Sequence, residues 1–156
     1  DHGRGRTLDL MAMTYALAGD YPRAVWHYES AIPLLRMSHD QLTLSSALAS
    51  LVCTSVGDWA WRVVRLRALP ANRWAECTRQ ITEATETARS IGWRAGEAYA
   101  LFVTGTLAAS QGQLRDAFRY LDESLAVAES TQHHHWMGQA YGRLGSHYLT
   151  LQNPEA

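Results

Sequence analysis

The stretch "GDYPRAVWHYESAI" (residues 19–32) returns as "GQLRDAFRYLDESL" at 112–125. Both copies run glycine, alanine five places on (Ala24, Ala117), a large residue four further (Tyr28, Leu121) and a small one three beyond (Ala31, Ser124). Steps of three and four place these side chains on one helical stripe. Small positions on such a stripe let a neighbouring helix approach closely, and large ones fill the space between. Upstream, Leu8, Met11, Ala12 and Tyr15 precede Gly19 at the offsets by which Leu101, Thr104, Gly105 and Ala108 precede Gly112. The repeated unit is therefore two helices with a glycine turn, and a further copy opens at Tyr141, Leu144, Gly145 and Tyr148.

The remaining sequence agrees with an all-α reading. Alanine, leucine, glutamate and arginine dominate, and apolar residues recur at helical spacing in nearly every segment. Breakers at Gly19-Asp20, Ser38-His39-Asp40, Gly57-Asp58, Pro70, Gly92, Gly112, His133–His135 and Asn153-Pro154 divide the chain into helices. In 156 residues, 47% hydrophobic and 19% charged side chains are enough for one packed domain, which excludes wholesale disorder. A net charge of −1 argues against a generally basic nucleic-acid binder, so any electrostatic function is local. No apolar run is long enough for a membrane helix, and no signal segment opens the chain. Cys53 and Cys77 both lie in apolar helical surroundings, which predicts buried free thiols and a cytoplasmic setting.

The paired pattern resembles the tetratricopeptide repeat (TPR), a helical hairpin with small residues at its close-approach points. The resemblance implies an α-α superhelix, a TPR-like solenoid of about three and a half hairpins forming one domain over 1–156. Its repeats fall at about 5–38, 41–92 and 98–131, with a half repeat at 138–156. The second repeat is degenerate. Gly57 to Cys77 spans 20 residues where the intact repeats have 5, so an insert at 58–73 is expected in its turn. The half repeat ends without the helix that would cover Leu144 and Tyr148. A solenoid does not end stably on a bare apolar face, so a longer native chain is expected, or homodimer formation through the uncapped C-terminal hairpin.

In the TPR family the first helices of the hairpins line a concave groove that holds a peptide or a partner helix. Carried over by position, the groove here would comprise Arg6, Asp9 and Met13, then Leu48 and Leu51, then Tyr99, Phe102 and Thr106, then Gln139, Arg143 and Ser146. Asp9 and Met13 stand where a carboxylate-clamping groove needs a cation and an amide, which argues against that ligand class. The spacers "RSIGWRAGEAYA" (89–100) and "ESTQHHHWMGQAY" (129–141) are similar to those of TPR arrays in large bacterial signalling and transcription regulators that carry an ATPase module. That similarity implies a scaffold or sensor that binds protein partners.

The insert raises the main alternative. "WAWRVVRLRALPANRW" (59–74) holds three tryptophans, four arginines and no acid, an island in an otherwise acidic chain. The patch Trp59, Trp61, Arg62, Arg65, Arg67, Arg73 and Trp74 could stack on bases and meet phosphates, or dock another anionic partner. Without a nucleic-acid-binding motif or a wider basic surface, a strap packed on the solenoid is the plainer reading, a protein contact the second and nucleic acid the third. In "QHHHWM" (132–137) three successive histidines would point three ways along a helix, whereas metal ligands converge, so a cap or loop anchored by Trp136 is expected and no metal or other cofactor. Phosphate-loop, zinc-protease and nucleophile-elbow motifs are absent, so the chain is read as no enzyme.

Overall fold

The computed structural model describes residues 2–57 and 68–152. Seven helices and no strands occur among them: α1 (His2–Leu17), α2 (Tyr21–Met37), α3 (Gln41–Val56), α4 (Ala71–Ser90), α5 (Arg94–Ser110), α6 (Leu114–Ser130) and α7 (His134–Gln152). They pair as hairpins α1–α2, α3–α4 and α5–α6, with α7 following alone among the described residues. The architecture is the all-α stack of helical hairpins that the repeat predicts.

Five of the turns share one geometry, and it explains their residues. At Gly19, His39, Gly92, Gly112 and Gln132 the backbone is left-handed, with φ between 53° and 82°. The amide of each donates to the carbonyl three residues back, and the next amide (Asp20, Asp40, Trp93, Gln113, His133) to the carbonyl five back. This is the Schellman closure, which satisfies the last carbonyls of a helix. The residue after the left-handed one also caps the following helix; Asp20 and Asp40 accept from the amides of Arg23 and Thr43 at 3.2 and 3.3 Å. Each turn therefore stops one helix and starts the next within a few residues, which forces antiparallel neighbours. Gly57 (φ 78°) ends α3 in the same left-handed conformation.

Between helices, the small residues stand where the stripe pattern puts them. Ala12, Ala24, Ala31, Ala117 and Ser124 have no exposed surface, and Tyr28 and Leu121 are buried beside them. A Cβ on Gly105 would stand 2.9 Å from Leu121 Cγ and 3.0 Å from the Ala117 carbonyl oxygen, so α5 and α6 touch through the missing side chain. Small hydroxyls reach across at equivalent depths: Ser124 Oγ donates to the Ala98 carbonyl at 2.7 Å and Ser45 Oγ to that of Ala84 at 2.8 Å.

Successive odd-numbered helices pack closely on one another (α1–α3, α3–α5, α5–α7), whereas the backbones of the even-numbered ones stand farther apart. The stack therefore curves with α1, α3, α5 and α7 on its inner side. Long ion pairs bridge α2 and α4 instead, Arg36–Glu83 at 2.7 Å and Arg73–Glu29 at 3.2 Å. α3 runs through the middle, buried at nearly every position from Leu44 to Val56.

The second hairpin departs from the expected boundaries. α4 begins at Ala71, so 71–73 belong to the helix and not to the turn. Pro70 sits just before the first helical residue, at φ −58° and ψ 152°. A proline lacks an amide hydrogen and is tolerated at a helix start, so the residue read as a terminator opens α4.

Candidate functional site

A cavity of about 390 Å³ lies on the inner side, and all four odd-numbered helices line it. It runs obliquely: α1 contributes Met13 and Leu17 from its last turns, whereas α5 and α7 contribute from their first halves. The floor is α3, through Ser46, Ser50 and Cys53. These small residues, spaced three and four apart, keep the floor low against the wall of α5.

That wall is aromatic. Tyr99 stacks on Trp136 of α7 with centroids 4.6 Å apart and planes 16° apart, and Phe102 tilts against the same indole at 6.2 Å. Tyr99 Oη and Ser50 Oγ share a hydrogen bond of 3.0 Å, tying wall to floor. Trp93 folds back over the first turn of α5, its ring lying across Gly96, where any Cβ would overlap it. Trp93 can border the cavity only because position 96 has no side chain. The Arg143 guanidinium lies over the Phe102 ring, 5.8 Å from its centroid. Among the described residues Arg143 is the one permanently charged lining side chain, and His135 and Gln139 border the cavity from α7 beside it.

Of the groove positions expected from the sequence, Met13, Tyr99, Phe102, Gln139 and Arg143 border this cavity. Leu48, Leu51 and Thr106 do not: each is fully buried between helices. The expected face of α3 is thus corrected. Neighbours pack around this central helix, so its leucines serve the core and its serines and Cys53 face the groove. Thr106 is turned inward, its hydroxyl donating to the Phe102 carbonyl at 3.1 Å. Ser146 is half-buried and lies off the cavity.

Arg6 and Asp9 belong to a separate joint between the first two hairpins. Arg6 Nε donates to Asp40 Oδ2 at 2.6 Å, and the Asp40 side chain is only 5% exposed. The Arg6 hydrogen bond holds the Asp40 carboxyl below the usual carboxylate range. Asp9 has the opposite environment: burial, with repulsion from Asp40, pushes its carboxyl up to about 6.

Trp93 and Trp136 were absent from the expected groove, although their shared place just ahead of a hairpin was visible in the two spacers. In the histidine tract, His133 caps α7, Nδ1 accepting from the Trp136 amide at 3.5 Å, while His135 meets the Trp136 ring edge-on at 4.7 Å. Among the described residues no group of three His, Cys, Asp or Glu side chains is placed to hold a metal ion.

Most of the arginine–tryptophan patch, namely Trp59, Trp61, Arg62, Arg65 and Arg67, lies outside the described residues. The two described members are engaged in packing. Arg73 bonds Glu29 and the Ser55 hydroxyl, and Trp74 packs against the core. Cys53 and Cys77 are buried and are not joined in a disulfide. No helix among the described residues is long and apolar enough to cross a membrane.

Residues 1–60 match the family model of the Trs120/TRAPPC9 N-terminal domain. The match takes in 60 of 156 residues, α1 to α3, and is a likeness of that part alone. No curated protein matches the chain.

Proposed function

We propose that this chain is a protein-interaction scaffold that holds a peptide or helix of a partner protein in its inner groove and carries out no catalysis itself. The observation that carries the reading is the aromatic-walled cavity spanning α1, α3, α5 and α7. A concave, mostly apolar site with a few placed polar groups is the usual form of a binding site. Stacked hairpins present such a surface as a continuous strip. The likeness of residues 1–60 to the Trs120/TRAPPC9 N-terminal domain is compatible with a scaffold.

The finer reading makes these hairpins tetratricopeptide repeats serving as the sensor of a larger cytoplasmic bacterial signalling regulator. Its support is the repeat pattern and the two tryptophan-bearing spacers. For the alternative, anionic recognition through the 59–74 patch, Arg73 and Trp74 offer no help, since both are committed to internal contacts.

The test is site-directed photocrosslinking in cells. A photoreactive amino acid at Gln139, on the groove, is compared with one at Asp122, exposed on the outer helix α6. The groove position should capture a discrete partner that the outer position does not. Capture from Asp122 alone would refute use of the inner face.

A further inference from the structure

Three ionisable side chains meet where the first hairpin joins the second. Gly5 lets the first turns of α1 lie against the end of α2, where an added Cβ would stand 3.2 Å from Leu35 Cδ2. That approach puts Arg6 beside Asp40, which follows α2 and opens α3. Asp40 has two tasks: it caps α3 by accepting from the Thr43 amide, and it accepts from Arg6 Nε at 2.6 Å, which ties α1 to α3. Asp9, half-buried, stands three residues beyond Arg6 on α1. Residues three apart on a helix are surface neighbours, a spacing at which arginine and aspartate pair. One guanidinium therefore has two carboxylates to serve. The groups acting on Asp9 from the facing helices are Asp40, which repels its charge from the head of α3, and Tyr28 of α2. Arg23 and His27 of α2 meet α1 farther along, at Tyr15.

We propose that Arg6 is shared between Asp40 and Asp9, and that the proton on Asp9 decides the share. With Asp9 neutral, Arg6 holds Asp40 and locks α1 to the head of α3. With Asp9 ionised, a second carboxylate competes for the same guanidinium while repelling the first, and α1 loosens from α3. Asp40 keeps its charge across this change, since the Arg6 hydrogen bond holds its carboxyl below the usual carboxylate range. Asp9 is the group that titrates: burial and Asp40 push its carboxyl from 3.8 up to about 6, so its proton favours the closed joint, and that support fades as pH rises through this interval. The consequence reaches the groove, because α1 carries the Met13 and Leu17 border of the cavity. The device belongs to the fold and operates whatever fills the groove.

Hydrogen–deuterium exchange of the whole chain tests this at about pH 5 and about pH 7.5, with each rate divided by the intrinsic rate at that pH. A carboxyl that moves from about 6 to its ordinary 3.8 on opening raises the open fraction by at most about tenfold over this range. After correction, the amides of α1 should exchange roughly threefold faster or more at the higher pH, while those of α5 and α6 should not change. On Asp9→Asn the α1 difference should vanish, with circular dichroism checking that the variant keeps its helical signal. Carboxyl-resolved NMR of the wild type gives a readout that needs no variant: the Asp40 resonance should move with the Asp9 midpoint, near pH 6, as Arg6 leaves it. An unchanged α1 rate, an equal change in α6, a difference that survives in Asp9→Asn, or an Asp40 resonance indifferent to Asp9 would each overturn the inference. The scaffold reading is untouched by any of these outcomes, since the photocrosslinking comparison decides it separately.

Discussion

Replacing Gly105 and Gly145 by alanine, one at a time, isolates the contact on which the hairpin stack depends. The two glycines hold the same place in their repeats, but among the described residues only Gly105 has a partner helix against it. Its added Cβ would stand 2.9 Å from Leu121 Cγ and 3.0 Å from the Ala117 carbonyl oxygen, whereas a Cβ on Gly145 meets nothing within 4 Å. The leucine can shift its rotamer; the Ala117 backbone cannot, so α5 and α6 must part slightly along their seam. Overpacking of this kind costs about 1–3 kcal/mol. Against it, alanine is better than glycine inside a helix by about 1 kcal/mol, a gain common to both sites. Gly145→Ala should therefore stabilise by up to about 1 kcal/mol, and Gly105→Ala should be neutral to destabilising by about 2 kcal/mol. Thermal melts followed by circular dichroism read the difference, at about 2–4 °C per kcal/mol for a domain of this size. Equal shifts of the same sign would refute the close-approach argument.

Asp9→Asn removes a carboxylate held in an unfavourable place. The folded carboxyl sits near 6, above its ordinary 3.8, so the folded state binds this proton more tightly than the unfolded chain does. Stability attributable to the site is thus highest in acid, falls as pH rises from about 4 to 6, and stays low above that. A displacement of this size is worth at most about 3 kcal/mol, and about 1–2 after allowing for partial solvation. The variant should be more stable than wild type by that amount in urea melts at pH 7.5 and no different at pH 4; destabilisation at pH 7.5 would be contrary evidence. His39→Gly and Gln132→Gly relieve left-handed backbone at non-glycine residues. Each should raise stability by about 0.5 kcal/mol, the strain relief exceeding the extra chain entropy of glycine, as a denaturant midpoint would show. Cys77, fully buried and with its thiol pushed up by burial, should resist a disulfide reagent at pH 8 until the chain unfolds. Rapid labelling of the native protein would contradict its placement.

Much of the fold was legible because its rules are local. The spacing of Ala24, Tyr28 and Ala31, and of Ala117, Leu121 and Ser124, is set by helix geometry and appears directly in the sequence. The glycine turns were equally plain, since left-handed backbone selects glycine. His39 and Gln132 adopt the same conformation without it, so only the matching geometry of the neighbouring turns reveals them. At Pro70 the residue type was ambiguous in principle: proline both ends helices and begins them, and only the chain on either side decides.

The site was less legible, for a reason that differs between helices. Which face of an inner helix meets the groove depends on how many neighbours claim its other faces. On α1, α5 and α7 the positional rule named Met13, Tyr99, Phe102, Gln139 and Arg143, which border the cavity, together with Arg6, Asp9, Thr106 and Ser146, which do not. On α3, enclosed by both adjoining hairpins, the apolar residues Leu48 and Leu51 were drawn into the core, leaving the short polar face of Ser46 and Ser50 for the groove. A sequence rule that equates groove with exposed apolar residues fails on a central helix, because the most apolar stripe goes wherever burial is deepest. The same reasoning accounts for the missed tryptophans. Trp93 and Trp136 stand at the starts of α5 and α7, outside the periodic pattern, and the groove needs them because the small floor of α3 leaves a space that only large side chains from the ends of neighbouring helices can wall.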